Sequence, residues 1–262
     1  VKRSEQAAAE LAAVVLTRNE ERHIGDCLDS LTWADLCVVV DDESTDRTVE
    51  IARARGARVV RHRRKDFAAQ RNAALEAVQA EWVLFVDADE RVPPELAEEI
   101  RRVVSYEGSQ ARAGWWIPRH NYMLGHRMRA GGWYPDHQLR LLHRESARYD
   151  PARPVHETVI LDGRAGYLEY PLVHYNYDSV AQFRQKTSRY TELEARMLRE
   201  QGVRVRPWTY VSMPLREFWR RFVMLRGYRD HLYGLLFCGL MAWYTGITYL
   251  RLRRLRHSAA NT

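Results

Sequence analysis

The sequence predicts an α/β fold: a Rossmann-like, mostly parallel sheet with helices on both faces, followed by amphipathic and apolar helices at the C-terminus. Three observations predict it. From Leu11 to Val104, short apolar runs alternate with segments of helical period, as in a sheet whose parallel strands are buried on both faces. Two of those runs end in acidic residues, Asp41 and Asp87, and the C-terminal ends of parallel strands are where open α/β sheets bind ligands. The basic surplus of the chain is confined to its aromatic end.

Leu11–Thr17 reads as the first strand, and Glu20–Leu31 as a helix with Ile24, Cys27, Leu28 and Leu31 on one face. Leu36–Val40 is the second strand and Thr45–Arg55 the second helix, which Gly56 is placed to end. Ala57–Arg61 is a short strand, Phe67–Ala80 an alanine-rich helix, and Trp82–Val86 a fully apolar strand. Pro93 and Pro94 then open a helix that runs to Val104. Gly114–Arg119 and Gln138–His143 read as strands of a mixed sheet, separated by a loop rich in Gly, Trp and His. A helix occupies Asp178 to Glu200, and Pro207 and Pro214 are expected to interrupt the chain beyond it. This divides the chain into an α/β domain over 1–178, expected to carry the binding and catalytic residues, and a helical region over 179–262.

Cys27, Cys37 and Cys238 are far apart and form no CxxC pair, which argues against a disulfide scaffold and for a reducing compartment. The apolar run near the start is too short for a secretory h-region, so the expectation is a catalytic part on the cytoplasmic side. From Leu215 onward there are nine arginines and no lysine against Glu217 and Asp230, a surplus equal to the whole net charge of +7. The remainder is neutral, which excludes a generally basic, nucleic-acid-wrapping protein.

The stretch WVLFVDADERV delivers Asp87 and Asp89 to a sheet edge, where both can face one hard cation. Mg²⁺ or Mn²⁺ takes one or two protein carboxylates and completes its shell with diphosphate oxygens and water. The bland alternative is a pair of loop-capping acids. Ser44, Thr45 and Asp46 read as N-cap and first-turn residues. Asp41 is different: a carboxylate at a strand end can accept a nucleobase N–H. Arg71 can offer its fork to a phosphate or ribose, or be a solvated helix-face charge. Asp136 follows Gly131, Gly132 and Pro135 and is a candidate general base, unless it pairs with Arg140 and braces the loop.

Together these segments resemble glycosyltransferase family 2, with the GT-A fold. The resemblance rests on LTRNEE, VVDDESTDRT, DFAAQRNAALEAVQAEW and VLFVDADE. GGWYPDHQLRLLHR, PVHETV, VHYNYDSVAQFRQKTSRYT and GYRDHLYG are similar to the branch of lipopolysaccharide-core glucosyltransferases. The resemblance implies that Asp41 contacts the base of the nucleotide, and that Thr17, Asn19, Glu20 and Ala88 line its pocket with Arg71 beside the ribose or phosphates. It implies that Asp87 and Asp89 are the Asp-x-Asp acids, with Asp89 the more direct ligand of Mg²⁺ or Mn²⁺. Asp136 stands in the place of the catalytic acid, with Glu157 as the rival base. His156 resembles the late histidine that completes the metal site, and His174 is its rival. The family's usual glycine after the paired Asp is Glu43 here, which leaves base preference open.

Leu232 to Leu250 is a 19-residue stretch without charge, flanked by arginines. As a helix it measures ~28 Å, about a bilayer core. Its glycines, threonines and tyrosines make it a poor spanning segment, and Leu215–Arg229 reads as an amphipathic helix at an anionic interface. The expectation is peripheral or monotopic attachment at the cytoplasmic face of the membrane. The function expected is metal-dependent, inverting transfer from a nucleotide-sugar, with a lean toward UDP, to a lipid-linked or membrane glycan acceptor. Two alternatives stand beside it: a haloacid-dehalogenase-like phosphatase with Asp87 as nucleophile, and a non-catalytic nucleotide-sugar-binding membrane protein.

Overall fold

The computed structural model describes residues 9–63, 67–105, 112–150 and 159–260. His156 and Glu157 therefore lie outside the described residues. The chain forms two compact units, one of residues 1–119 and 137–174, the other of 120–136 and 175–262. The segment 120–136 groups with the C-terminal helices, and the later boundary falls at 174/175 where the sequence suggested 178/179.

The first unit is built on β1 (Ala9–Thr17), β2 (Leu36–Asp41), β3 (Arg58–Arg61) and β4 (Ala80–Asp87), all mutually parallel in the order β3-β2-β1-β4. In register, Val14 pairs with Val38 on one side and with Phe85 on the other. Helices α1 (Ile24–Asp29), α2 (Thr48–Ala54), α3 (Phe67–Ala77) and α4 (Pro94–Ser105) are the crossovers. Alternate strand residues point to opposite faces. Leu11, Ala13 and Val15 join Leu84, Ile24, Leu28, Leu96 and Ile100 in one core. Ala12, Val14, Val38 and Phe85 join Ala74, Leu75 and Val78 in the other. Both faces of the sheet are buried, and this is why its strands read as continuous apolar runs. Helices α1 and α2 are shorter than the sequence suggested, because 20–23 and 45–47 form the loops that follow β1 and β2.

Beyond β4 the sheet continues with the short β5 (Glu90–Arg91), β6 (Arg112–Met123), β8 (Asp136–His143) and β12 (Leu172–Tyr177). β8 runs antiparallel to β4, with Leu84 opposite Leu141. β7 (His126–Arg127) folds back on β6, and β11 (Arg164–Tyr167) lies parallel to β6. β9 (Ala147–Tyr149) and β10 (Val159–Leu161) form a separate ribbon.

The second unit is organised by α7 (His231–Ala260), against which α5 (Val180–Glu200) and α6 (Thr209–Trp219) pack. Ser179 caps α5, its hydroxyl accepting the Gln182 N–H at 3.1 Å. Phe183, Phe237 and Tyr244 form an aromatic core with Met123 and Met128. Two expectations are corrected. Pro214 does not interrupt the chain but lies in the middle of α6, where it removes one intrahelical N–H bond and its ring lies close to Gly246 of α7. The amphipathic helix expected over Leu215–Arg229 does not reach Arg229 but ends at Trp219, passing into a π-turn (Arg220–Met224) and a 3₁₀ turn (Gly227–Asp230). The turn sits so close to α7 that a Cβ on Gly234 would meet the Gly227 carbonyl oxygen, which explains both glycines of GYRDHLYG.

Glu43 occupies the left-handed region at φ 53. That conformation is the physical reason a glycine suits the position. The side chain makes only a loose pair with Arg63 at 3.7 Å, both groups being exposed. Glu43→Gly should therefore be more stable than Glu43→Ala by about 1 kcal/mol, seen as a difference of roughly 2–4 °C in Tm. Equal melting temperatures would show that the turn carries no strain.

Candidate active site

The C-terminal edge of β1, β2 and β4 gathers most of the expected donor-side residues. Thr17 ends β1, and its buried hydroxyl has no hydrogen-bond partner among the described residues. Asn19 sits at φ 57; its N–H donates to Ser44 Oγ at 2.9 Å, and its side-chain oxygen accepts the Thr45 N–H at 2.8 Å. The Glu20 N–H donates to Thr48 Oγ1 at 2.8 Å. These bonds tie the loop after β1 to the loop after β2. Asp41 is fully buried and accepts the Ser44 N–H at 3.1 Å, so its carboxylate also closes the turn. Asp46 accepts both the N–H (3.0 Å) and hydroxyl (2.5 Å) of Thr48, but the N-cap of α2 is Arg47, so Ser44, Thr45 and Asp46 precede the helix instead of forming its N-cap and first turn.

Asp87 ends β4 among guanidinium groups. Arg140, on β8, donates to both of its carboxylate oxygens, through Nη1 at 3.2 Å and through Nη2. Arg71 approaches at 3.5 Å. Burial pushes the Asp87 carboxyl up, but Arg140 and then Arg71 outweigh this and hold it well below the usual carboxylate range. Arg140 also reaches the fully buried Glu90 at 3.1 Å, and Arg119 bonds the same Glu90 oxygen at 3.0 Å. Glu90 in turn accepts the Asp87 N–H at 2.9 Å. Arg71 is buried, with its guanidinium 5.1 Å from the Phe85 ring centre and 5.5 Å from that of Tyr149. It is not a solvated helix-face charge. Nor does Arg140 brace Asp136, since its fork is taken by Asp87 and Glu90.

Ala88 is buried, and beyond it Asp89 lies 3.5 Å from His174 Nε2. The two acids thus stand in different surroundings. Asp87 is engaged by arginines, whereas Asp89 faces an imidazole, and a carboxylate with an imidazole is a donor set that suits a divalent cation. Among the described residues no group of three or more His, Cys, Asp and Glu gathers at metal-ligating distance. The residues fit a metal that draws most of its shell from diphosphate and water. The expectation for His156 concerns a residue outside the described ones; His174, its rival, is the histidine beside Asp89.

Asp136 belongs to the second unit and opens β8. The buried Asn121 donates to its Oδ2 at 3.1 Å and to the Trp133 carbonyl at 2.8 Å, fixing the carboxylate against the loop that precedes it. Gly131 and Gly132 take φ 70 and 86, and a Cβ on Gly131 would strike the Trp133 ring. Gly131 is held by the Leu225 carbonyl at 2.8 Å and by Arg221 Nη1 at 2.9 Å.

The Glycosyl transferase family 2 profile matches residues 12–172. The chain belongs to that family. It is a glycosyltransferase, and its sheet is that of the GT-A fold. It is 27% identical over 244 residues to the lipopolysaccharide core biosynthesis glycosyltransferase LpsC of Rhizobium meliloti, covering 91% of this chain and 87% of the relative. It is 26% identical over 261 residues to an uncharacterized glycosyltransferase of Rickettsia conorii, covering 95% and 90% of the two chains. Among solved structures, the glycosyltransferase is similar to S. aureus TarS 1–349 in complex with UDP (TM-score 0.47, 15% identity, 96% and 91% covered). It is also similar to Mycobacterium tuberculosis glucosyl-3-phosphoglycerate synthase in complex with Mn²⁺, UDP and glucosyl-3-phosphoglycerate (TM-score 0.45, 21% identity, 76% and 82% covered). The phosphatase and non-catalytic alternatives find no support in these likenesses.

Sequence reading missed the network of Arg140, Glu90 and Arg119. Its signal was an arginine inside the apolar strand QLRLLH, since a charge in a buried strand needs a partner. Arg140→Met should destabilise the glycosyltransferase by about 3–5 kcal/mol, because Asp87 and Glu90 lose their shared cation. Arg140→Lys should recover only part of this, lacking the fork. Urea unfolding of the three proteins checks the order; a Met variant as stable as the parent would dismiss the network.

Proposed function

We propose that this glycosyltransferase is metal-dependent and inverting, and that it moves a sugar from a UDP-sugar to a lipid-linked or membrane glycan acceptor at the cytoplasmic face of the membrane. The observation that carries the reading is the split environment of the Asp-x-Asp pair, with Asp87 bound by arginines and Asp89 beside His174. Asp89 with His174 would hold Mg²⁺ or Mn²⁺, which when bound neutralises the departing nucleoside diphosphate. Asp87 and Arg71 orient the ribose and phosphates. Asp41 and the unpartnered Thr17 hydroxyl receive the nucleoside, with Asn19, Glu20 and Ala88 shaping the pocket wall. Asp136 takes the proton from the acceptor hydroxyl, which attacks the face opposite the leaving group. The likeness to LpsC supports a lipopolysaccharide-type glycan as acceptor.

The second unit supports attachment to the membrane surface. Trp208, at the N-cap of α6, and Val211, Leu215 and Trp219 within it follow one another at helical spacing and are each at least 60% exposed. Leu232, Leu236, Trp243 and Leu250 are likewise exposed along α7. Gly227–Arg256 is long and apolar enough to cross a membrane by length and composition, but a third of its apolar window is buried within the protein. A helix so engaged is suited to lie on the bilayer with its apolar face down and its arginines at the headgroups.

Asp89→Ala should abolish turnover and remove the metal-dependent part of UDP binding; near-normal activity in Mn²⁺ would refute the metal assignment. Asp136→Asn keeps shape and should cut turnover at least about a hundredfold while UDP affinity stays close to normal. Normal turnover in that variant, with loss in Glu157→Gln, would move the base to Glu157.

Truncation is a poor test of attachment, since Phe237 and Tyr244 of α7 are core residues. Leu232→Ser with Trp243→Ser should leave folding intact and reduce sedimentation with phosphatidylglycerol vesicles. Undiminished sedimentation would place the contact elsewhere.

A further inference from the structure

The second unit contains a cleft of about 560 Å³ whose wall carries Arg127, Arg129, Arg226 and Arg229 with His120 and Tyr134. All four arginines are exposed. Among the described residues no carboxylate forms an ion pair with any of them. Asp230, close by in the chain, is fully buried, and its oxygens accept the backbone N–H groups of Arg129 (2.9 Å) and Ala130 (3.0 Å) and face His126. Arg226 sits in the left-handed region at φ 57, a cost that a bulky residue bears only where its neighbours fix it. The imidazole of His120 is held below its ordinary value by burial and by the charge of Arg127. Four cations concentrated without a counter-charge attract an anion, and guanidinium forks match phosphate oxygens in pairs. The volume suits a small ligand. Tyr134 lines the cleft with its ring 5.2 Å from that of His120, and Pro135, also on the wall, is followed directly by Asp136.

We propose that this cleft binds a phosphate group carried by the acceptor saccharide, so that the enzyme acts on phosphorylated glycans. The inference rests on Asp136 as the acceptor base. The phosphate would enter the arginine cleft while the hydroxyl to be glycosylated meets Asp136, the next residue along the chain.

The test uses the full chain in EDTA, so that metal-dependent donor binding does not contribute, and glucose 6-phosphate as probe in a phosphorus-NMR titration. Glucose 6-phosphate should bind, and binding should weaken with salt. Arg127→Gln with Arg229→Gln should weaken it about a hundredfold, roughly tenfold for each charge-assisted hydrogen bond removed. Arg204→Gln with Arg253→Gln removes the same charge from another arginine-lined cleft and should change little. Should the first pair fail to fold, Arg226→Gln alone should still weaken binding. Retained binding in the Arg127/Arg229 variant, or loss that follows Arg204 and Arg253, overturns the proposal. So does displacement of the probe by phosphatidylglycerol vesicles but not by excess mannose 6-phosphate, which would make the ligand a lipid headgroup. Sugar-phosphate binding that persists in a protein unable to cleave UDP-sugars would sink the catalytic reading and leave the cleft standing.

Discussion

The C-terminal end of β4 in this glycosyltransferase depends on a buried arrangement of charge: Asp87 and Glu90 sharing Arg140, with Arg71 and Arg119 at either end. Isolated, any of these groups would be costly to remove from water. Together they join α3, β4, β5, β6 and β8, so the strands around the acidic pair are held by electrostatics as well as by backbone ladders. The network also gives two acids only two positions apart different neighbours. One is fixed by guanidinium groups, and the other lies beside an imidazole.

A second constraint shapes the other unit. Its helices meet through close backbone approach at Gly227 and Gly234 and an aromatic cluster around Phe183. Burying that side of α7 leaves the opposite side to its exposed leucines and Trp243. One helix therefore serves as core and as outward apolar surface, which composition alone reads as a mediocre membrane span.

The strands, the crossover helices and the family were legible because buried parallel strands force continuous apolar runs, and because the turns after them need particular residues. Glu43 illustrates the second point: its departure from the family's glycine was visible in the sequence, and its positive φ gives the reason. The helix ends were less legible. Residues 20–23 have helical composition, yet Glu20 donates its N–H to Thr48, the first residue of α2. Pro214 looked like a break because local rules cannot register its packing on Gly246. Arg140 and Arg71 were misjudged for a related reason. Whether an arginine is solvated or buried is decided by partners distant in sequence, and no local pattern names them.

Asp230 anchors the loop at 126–130 through main-chain N–H groups, and its carboxylate also faces His126. An anchor of that kind is indifferent to the identity of Arg127 and Arg129. Substitution of either side chain leaves those main-chain bonds available, so the charge this loop displays and the path its backbone takes are set by separate groups.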